Sequence, residues 1–431
     1  MSHSPKLQGP KGTRDFYPEE MRRHRHLEDT WRRVSLRAGF EEVDGPIFES
    51  LELYIQKSGQ EIVDQLYAFE DKGGRRVAIR PEFTPTLARM VVARQAALPR
   101  PVKWFNISRV CRYERSQKGR LREFYQWNCD ILGAPDVTAD AECITVAIEA
   151  LRELGLTAEQ VEVRLSSRKL LAALLKGLGL AEDLVPKVHA ALDKRGKAPD
   201  EVVQAMLAEL GLSPAQRAGL DDVFALATLD DVARRFGSAA EVSESLSELQ
   251  RLFVLLEAGG VAPFVRFDIG IIRGLAYYTG PVWEVFDKRG ELRSLFGGGR
   301  YDKLIETCGG QPMPACGFGA GDVTLGLLLD SHNLWPKAAS APDFYVVYAS
   351  DEAVARAVRV AALLRAAGRS AQYSLHLAAF GRQMKSAAAA EARFAVIVGL
   401  PDCPDDKVRL RNMAGGQERD VSFDQLVAAG I

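Results

Sequence analysis

Cysteine is scarce and unpatterned. The six thiols, Cys111, Cys129, Cys143, Cys308, Cys316 and Cys403, form no CxxC pair and no disulfide framework, and they read as reduced core or near-site residues of a cytoplasmic protein. Histidine is as sparse, with six in 431 residues. His24 and His26 lie two apart on a predicted helix and so do not share a face, which argues against a metal site there. Neither charge dominates: 56 Lys and Arg stand against 57 Asp and Glu, a net charge of -1. That balance argues against a strongly basic, non-specific nucleic-acid binder and leaves room for local basic surfaces. No apolar run reaches membrane-spanning length, the N-terminus has no signal-peptide core, and no repeat of solenoid length occurs. What is left is an ordinary globular composition, long enough for two or three domains with cores of their own.

The densest chemistry lies in WFNISRVCRYERSQKGRLREFYQWNCDILG, residues 104–133. Val110, Arg112 and Glu114 alternate with Cys111, Tyr113 and Arg115, the period of a strand. The loop Ser116-Gln117-Lys118-Gly119-Arg120 contains Gly119, the residue best able to take a positive φ. The return strand puts Phe124, Gln126 and Asn128 on one face and Tyr125, Trp127 and Cys129 on the other. Five arginines and one lysine lie between Arg109 and Arg122, interleaved with acids and aromatics. A polyanion carrying an aromatic base wants that mixture: forked donors for phosphate and a ring face for the base.

Around this hairpin the chain alternates strands and helices. Pro18-Glu19-Glu20 opens a predicted helix that runs with apolar period to Gly39, its C-cap. LYAFEDKGGRRVAIRP predicts a hairpin turning at Gly73-Gly74 and leads into Pro81-Glu82-Phe83-Thr84-Pro85 and a helix from Thr86 to Ala97. By itself that turn needs Thr84 only as a cap. Ala139 to Leu154 is an apolar-faced helix, and residues 161–165 form a short strand. From Arg168 to Ser243 the texture is Leu- and Ala-rich with irregular breaks, an all-helical insertion with a small core. Strands resume at VRFDIG. Ile272 to Gly280, with Arg273, Gly274, Tyr277 and Tyr278, reads either as a bulged strand with an ion-paired arginine or as a close approach to a ligand. Gly297-Gly298-Gly299-Arg300-Tyr301-Asp302 places three glycines ahead of a helix, where backbone amides can approach a ligand. Ala315 to Gly321 leads from a strand into a helix, Val323 to Leu329. After a linker at 331–342 rich in Ala, Ser and Pro, residues 342–431 read as an α/β binding module with a parallel-rich sheet. The expected division is 1–165 and 245–331 for a strand-rich domain, 166–244 for the insertion and 342–431 for the module.

The stretches 80–85, 104–133, 272–284 and 297–321 are chemically complementary. Guanidinium groups hold phosphates and offset charge on a phosphoryl oxygen, rings stack a purine, and carboxylates with tyrosine hydroxyls hold a small cationic amino acid. This suits adenylation, in which a carboxylate attacks the α-phosphorus of ATP in line and Mg²⁺ bridges phosphate oxygens, with no protein nucleophile.

The same stretches resemble the histidyl-tRNA synthetases, class II aminoacyl-tRNA synthetases, from KGTRD near the start through the final α/β module. RYERSQKGRLREFYQ resembles motif 2, PEFTP the RPExT element, and RGLAYYTG the family's RGLDYY run. The resemblance implies an α+β fold: an antiparallel-sheet catalytic domain with a helical insertion, plus a C-terminal anticodon-binding domain. It implies ligation of L-histidine to tRNA(His) through histidyl-adenylate by a cytoplasmic homodimer using ATP and Mg²⁺. Arg112 is then the arginine on the α-phosphate and the amino-acid carboxylate. Glu114 and Phe124 hold the adenine, and Arg120 meets the α-phosphate. Glu82, Thr84, Gln126 and Asp130 line the histidine pocket, Arg273 acts at the reacting carboxylate, and Tyr277 and Tyr278 meet the imidazole and ammonium groups. Two positions depart from the pattern. Thr324 stands where motif 3 usually has a γ-phosphate arginine, with Arg115, Lys118 or Arg300 as candidate substitutes, and Ala276 replaces the acid of RGLDYY. A non-catalytic relative, the synthetase-like regulatory subunit of ATP phosphoribosyltransferase, is the alternative; it characteristically lacks the C-terminal domain. A purely structural RNA-binding protein is a third reading, and it leaves the pocket residues unexplained.

Overall fold

The computed structural model describes residues 7–57, 64–114, 117–192, 199–272, 277–292, 294–336 and 341–428. The chain divides into two compact units, Met1–Pro336 and Lys337–Ile431. The first is built on an eight-stranded sheet. Its strands are β1 (Glu41–Glu42), β5 (Val102–Cys111), β6 (Glu123–Leu132), β7 (Val161–Ser167), β8 (Val265–Phe267), β9 (Pro281–Asp287), β10 (Phe296–Arg300) and β11 (Ala315–Gly321), in the order β1-β5-β6-β11-β10-β9-β7-β8. Pairing is antiparallel except at β1–β5 and β7–β8. A small antiparallel sheet, β2 (Phe48–Ser50), β4 (Arg76–Ile79) and β3 (Tyr67–Glu70), accompanies it.

Helix α1 (Pro18–Arg37) begins with proline at its first position and acids in its first turn, where the fixed φ and the helix dipole favour them. Its buried Leu27, Trp31 and Val34 cover one face of the large sheet, with Trp31 stacked on Trp127 at 5.8 Å. Among the described residues the other helices of this unit are α2 (Leu51–Lys57), α3 (Thr84–Arg94), α4 (Thr138–Glu153), six between Arg168 and Ala258 (α5–α10), α11 (Leu304–Thr307) and α12 (Asp322–Ser331). The alternation in β6 therefore has a consequence. Trp127, Cys129 and Ile131 face the helices and are buried, while Gln126, Asn128 and Asp130 face the other way.

The second unit carries the sheet β13 (Ala371–Tyr373), β12 (Phe344–Tyr348), β14 (Phe394–Val398), β15 (Lys407–Asn412) and β16 (Glu418–Ser422), in that order. The first three strands are parallel and the last two close as an antiparallel hairpin. Helices α13 (Val354–Ala366), α14 (Phe380–Ala389) and α15 (Phe423–Ala428) complete it around Val346, Val396 and Val408.

Three sequence-based expectations change. Thr84 is the first residue of α3 and gives no side-chain cap; Phe83 holds the cap position. The strand before the charged loop ends at Cys111 rather than continuing through Glu114. Gly297, Gly298 and Gly299 are interior to β10 and paired on both sides, so their amides belong to the sheet and not to a helix entrance.

Candidate active site on the glycine-paved sheet face

Residues directly opposite in an antiparallel pair point to the same side. On β5 and β6 the pairs are Trp104 with Asp130, Asn106 with Asn128, Ser108 with Gln126 and Val110 with Phe124. On β11 the partners of Asp130, Asn128 and Gln126 are Gly317, Gly319 and Gly321. Gly317 and Gly319 lie opposite Gly299 and Gly297 of β10. The face away from α1 is therefore polar along the middle of β5 and β6 and bare on the facing stretch of β10 and β11. The bare positions are required. A Cβ on Gly319 would lie 2.8 Å from Gln126 Nε2 and 3.0 Å from Asn128 Oδ1, and one on Gly299 would lie 2.9 Å from the Tyr278 ring. Asn106 Oδ1, Ser108 Oγ, Gln126 Oε1 and Asn128 Nδ2 are buried without a hydrogen bond among the described residues. Unmet buried polar groups cost about 1–3 kcal/mol each, and they cluster where a polar ligand or ordered water satisfies them.

One end of this face carries cations and a ring. The Arg112 guanidinium lies 5.5 Å from the Phe124 ring centroid, and its Nε donates to the Pro81 carbonyl at 2.9 Å. Arg120 donates to Glu114 at 2.7 Å and is largely exposed. The Arg112 amide donates to the Arg122 carbonyl at 2.9 Å, so the hairpin continues past the last strand residue. Arg80 ties the neighbouring segment down: its Nε donates to the Arg109 carbonyl at 2.9 Å and its Nη1 to Asp44 at 2.8 Å. Glu82 and Thr84, both buried, follow directly on that anchored backbone.

The other end is acidic and aromatic. Asp130 is buried and accepts a hydrogen bond from the Tyr301 hydroxyl. Burial pushes the Asp130 carboxyl up to about 7; the Tyr301 bond opposes the rise and the Glu82 charge adds to it. Tyr277, Tyr278 and Tyr301 pack together, with centroid separations of 5.0 Å (Tyr277–Tyr278), 5.7 Å (Tyr277–Tyr301) and 6.4 Å (Tyr278–Tyr301). The structure thus gathers Glu82, Thr84, Arg112, Glu114, Arg120, Phe124, Gln126, Asp130, Tyr277 and Tyr278 from segments far apart in the chain. Arg273 and Ala276 lie outside the described residues, as does Arg115.

One candidate substitute for the motif 3 arginine is corrected. Arg300 does not reach this face. It is fully buried on the helix side, where Nε donates to Asp140 of α4 at 3.0 Å and Nη1 to the Ala134 carbonyl at 3.1 Å. Burial pushes Asp140 up to about 6, and the Arg300 charge pulls against that. Arg300 is therefore removed as a phosphate ligand. Thr324 in α12 donates to the Leu295 carbonyl at 2.9 Å, and its Cγ2 is 3.2 Å from where a Cβ on Gly119 would stand. Gly119, at φ +79°, thus seats the turn of the charged loop on α12 through a small side chain. Asp322, at the start of α12, is buried and accepts from Arg14 and from the Tyr125 amide, the latter at 3.0 Å. That contact gives KGTRD a packing role which the sequence did not reveal.

Tyr301 and Asn128 have no assigned role in the motif reading. Their signals were present as RYD after the glycine run and as alternation along β6, but their partners lie on strands distant in sequence. The alternate glycines of CGFGAG likewise announced a strand with one bare face.

The comparisons with known proteins agree with one another. The family model described as Histidyl-tRNA synthetase matches residues 12–323, and the one described as Anticodon binding domain matches residues 343–429. The histidine--tRNA ligase, chloroplastic/mitochondrial, of Arabidopsis thaliana is 42% identical over 417 residues, 97% of this chain and 85% of its own. The histidine--tRNA ligase of Opitutus terrae is 42% identical over 426 residues, 98% and 97% of the two chains. Among solved structures, the histidyl-tRNA synthetase from Nostoc sp. PCC 7120 superposes with a TM-score of 0.81 at 25% identity, covering 99% of both chains.

Proposed function

Because the chain belongs to the histidyl-tRNA synthetase family, we propose that it joins L-histidine to tRNA(His) through a histidyl-adenylate. The supporting observation is a single sheet face with a guanidinium–aromatic pair, Arg112 and Phe124, at one end and the buried Asp130–Tyr301 pair at the other. A nucleotide suits the first end and a small nitrogenous side chain the second. Phe124 stacks the adenine beside Glu114, and Arg112 with Arg120 lies on the α-phosphate. Glu82 and Thr84 take the ammonium group, Gln126 and Asp130 line the pocket for the histidine side chain, and Tyr277 and Tyr278 meet the imidazole and ammonium groups. Arg273, as the resemblance implies, acts at the carboxylate.

A histidine carboxylate oxygen attacks the α-phosphorus in line, the bond to the bridging oxygen breaks, and pyrophosphate leaves. A terminal ribose hydroxyl of the tRNA then attacks the adenylate carbonyl and AMP leaves. Nothing in this needs a protein nucleophile: the site aligns the reactants and offsets charge on the non-bridging oxygens. Mg²⁺, brought by the ATP substrate, would offset charge on its phosphates beside Arg112 and Arg120. The unit around residues 343–429 reads the anticodon. The exposed Ile47, Phe48, Ile55 and Phe69 on and beside the small sheet are the apolar surface that a second copy covers in the homodimer. The free thiols suit the cytoplasm.

Pyrophosphate exchange with each of the twenty amino acids tests this. Exchange with histidine alone, lowered about 100-fold or more by Arg112→Ala, is expected. A folded protein that binds ATP and histidine without exchange would overturn the reading.

A further inference from the structure

Tyr301 follows β10 directly, and its amide donates to the Ala315 carbonyl at 2.7 Å. The ring is buried against Tyr277 and Tyr278. A buried phenol needs a partner for its hydroxyl, and here the partner is Asp130 Oδ1. No other hydrogen bond to that carboxylate is made among the described residues. Gly317, opposite Asp130 on β11, has no room for a side chain: a Cβ there would lie 2.8 Å from Tyr301 Oη and 2.6 Å from the Cys129 carbonyl. An acid on β6, a glycine on β11 and a tyrosine after β10 therefore hold one geometry. Glu82 and Tyr301 are the titratable groups acting on Asp130. Tyr277 and Tyr278 stand beyond Tyr301, and Cys316 on the far face acts on Tyr301. Beside Asp130, β5 presents Trp104 and β11 presents Gly317, neither of which titrates.

We propose that Tyr301 is a positioning residue for recognition of the substrate's side chain: by donating to Oδ1 it fixes the Asp130 carboxylate and leaves Oδ2 to accept a ring N–H. This rests on the reading that Asp130 faces the histidine side chain, and it deepens that reading. An unheld carboxylate can rotate, and when protonated it offers a donor as readily as an acceptor. With Oδ1 occupied, one acceptor remains, and a ring that lacks an N–H at that point leaves it unmet in a buried site. Sites built this way reject isosteres far more strongly than apolar pockets do. Burial drives Asp130 toward its neutral form and Tyr301 opposes that drive, so the tyrosine also sets the pH range in which the acceptor is present.

The test uses the full chain with Tyr301→Phe, which keeps the ring and removes one oxygen. Histidine-dependent pyrophosphate exchange is followed from pH 6 to 9, with KM for histidine and for ATP measured separately. The expected result is a KM for histidine raised about 10-fold near pH 7, partly recovered at higher pH, with KM for ATP unchanged. The unchanged KM for ATP also reports that the variant is folded. Identical histidine KM values and pH profiles in wild type and Tyr301→Phe, with Asp130→Asn raising KM for histidine, would overturn the role of Tyr301 alone. If Asp130→Asn leaves KM for histidine unchanged, the placement of histidine against Asp130 falls, and this proposal with it. For a variant that does not fold, wild type supplies the second reading: a histidine analogue with thiophene in place of imidazole must fail to compete. Competition at histidine-like concentration would overturn the proposal.

Discussion

Asp130 carries a conflict between folding and function. Its carboxyl, at about 7, stands above the ordinary value of 3.8. The native state therefore binds more protons than the unfolded chain between those values, and stability falls as pH rises from about 4 to about 7. Each unit of that shift corresponds to about 1.4 kcal/mol. Asp130→Asn has no such proton to lose. The variant is expected to gain stability relative to wild type as pH goes from 5 to 8, while histidine-dependent exchange falls. Urea unfolding at both pH values checks this, and a stability difference independent of pH would refute it. Thr324 shows a second side of residue-scale reasoning. As a missing arginine it reads as a loss, yet in the fold its hydroxyl bonds Leu295 and its methyl group meets the Gly119 turn. Both facts were invisible in a local motif.

At the scale of elements, helix α4 is held to the sheet by a fully buried ion pair, Arg300 with Asp140. Removing one partner of such a pair strands the other in a dry interior. Arg300→Met is expected to cost about 3–5 kcal/mol in chemical denaturation, and Arg300→Met with Asp140→Leu to recover most of it. KM for ATP should stay unchanged in the double variant, because this pair lies on the face away from Arg112. A rise in that KM would return Arg300 to the phosphate site. The elements themselves were largely readable. α1 follows from Pro18, the acids of its first turn and apolar spacing, and the two ten-residue strands of the hairpin follow from alternation. The glycines of β10 were not readable as strand, because glycine has no side chain to show alternation and their pairing partners come from elsewhere in the chain.

On the scale of the whole molecule, each unit has its own apolar core. If the second unit serves only the tRNA, a chain ending at Pro336 keeps histidine-dependent exchange. Its tRNA charging is expected to drop by about 100-fold or more, since one of two linked binding modules is gone. Aminoacylation at limiting tRNA, beside exchange on the same preparation, distinguishes this from general damage. Loss of both activities would contradict it.

The sequence alone determined the local matters: where helices start, which residues of β6 share a face, and that forked cations and rings lie on one hairpin. These depend on spacing, chirality and charge within a few residues, so they are written in the chain. Only the tertiary structure decided which side Arg300 faces, that Tyr301 holds Asp130, and that Gly317, Gly319 and Gly299 must stay bare. Arg300 and Asp140 are 160 positions apart, and Tyr301 and Asp130 are 171 apart. Contacts of that range are set by strand order and register, and a buried charge or hydroxyl takes whichever partner that register brings within reach.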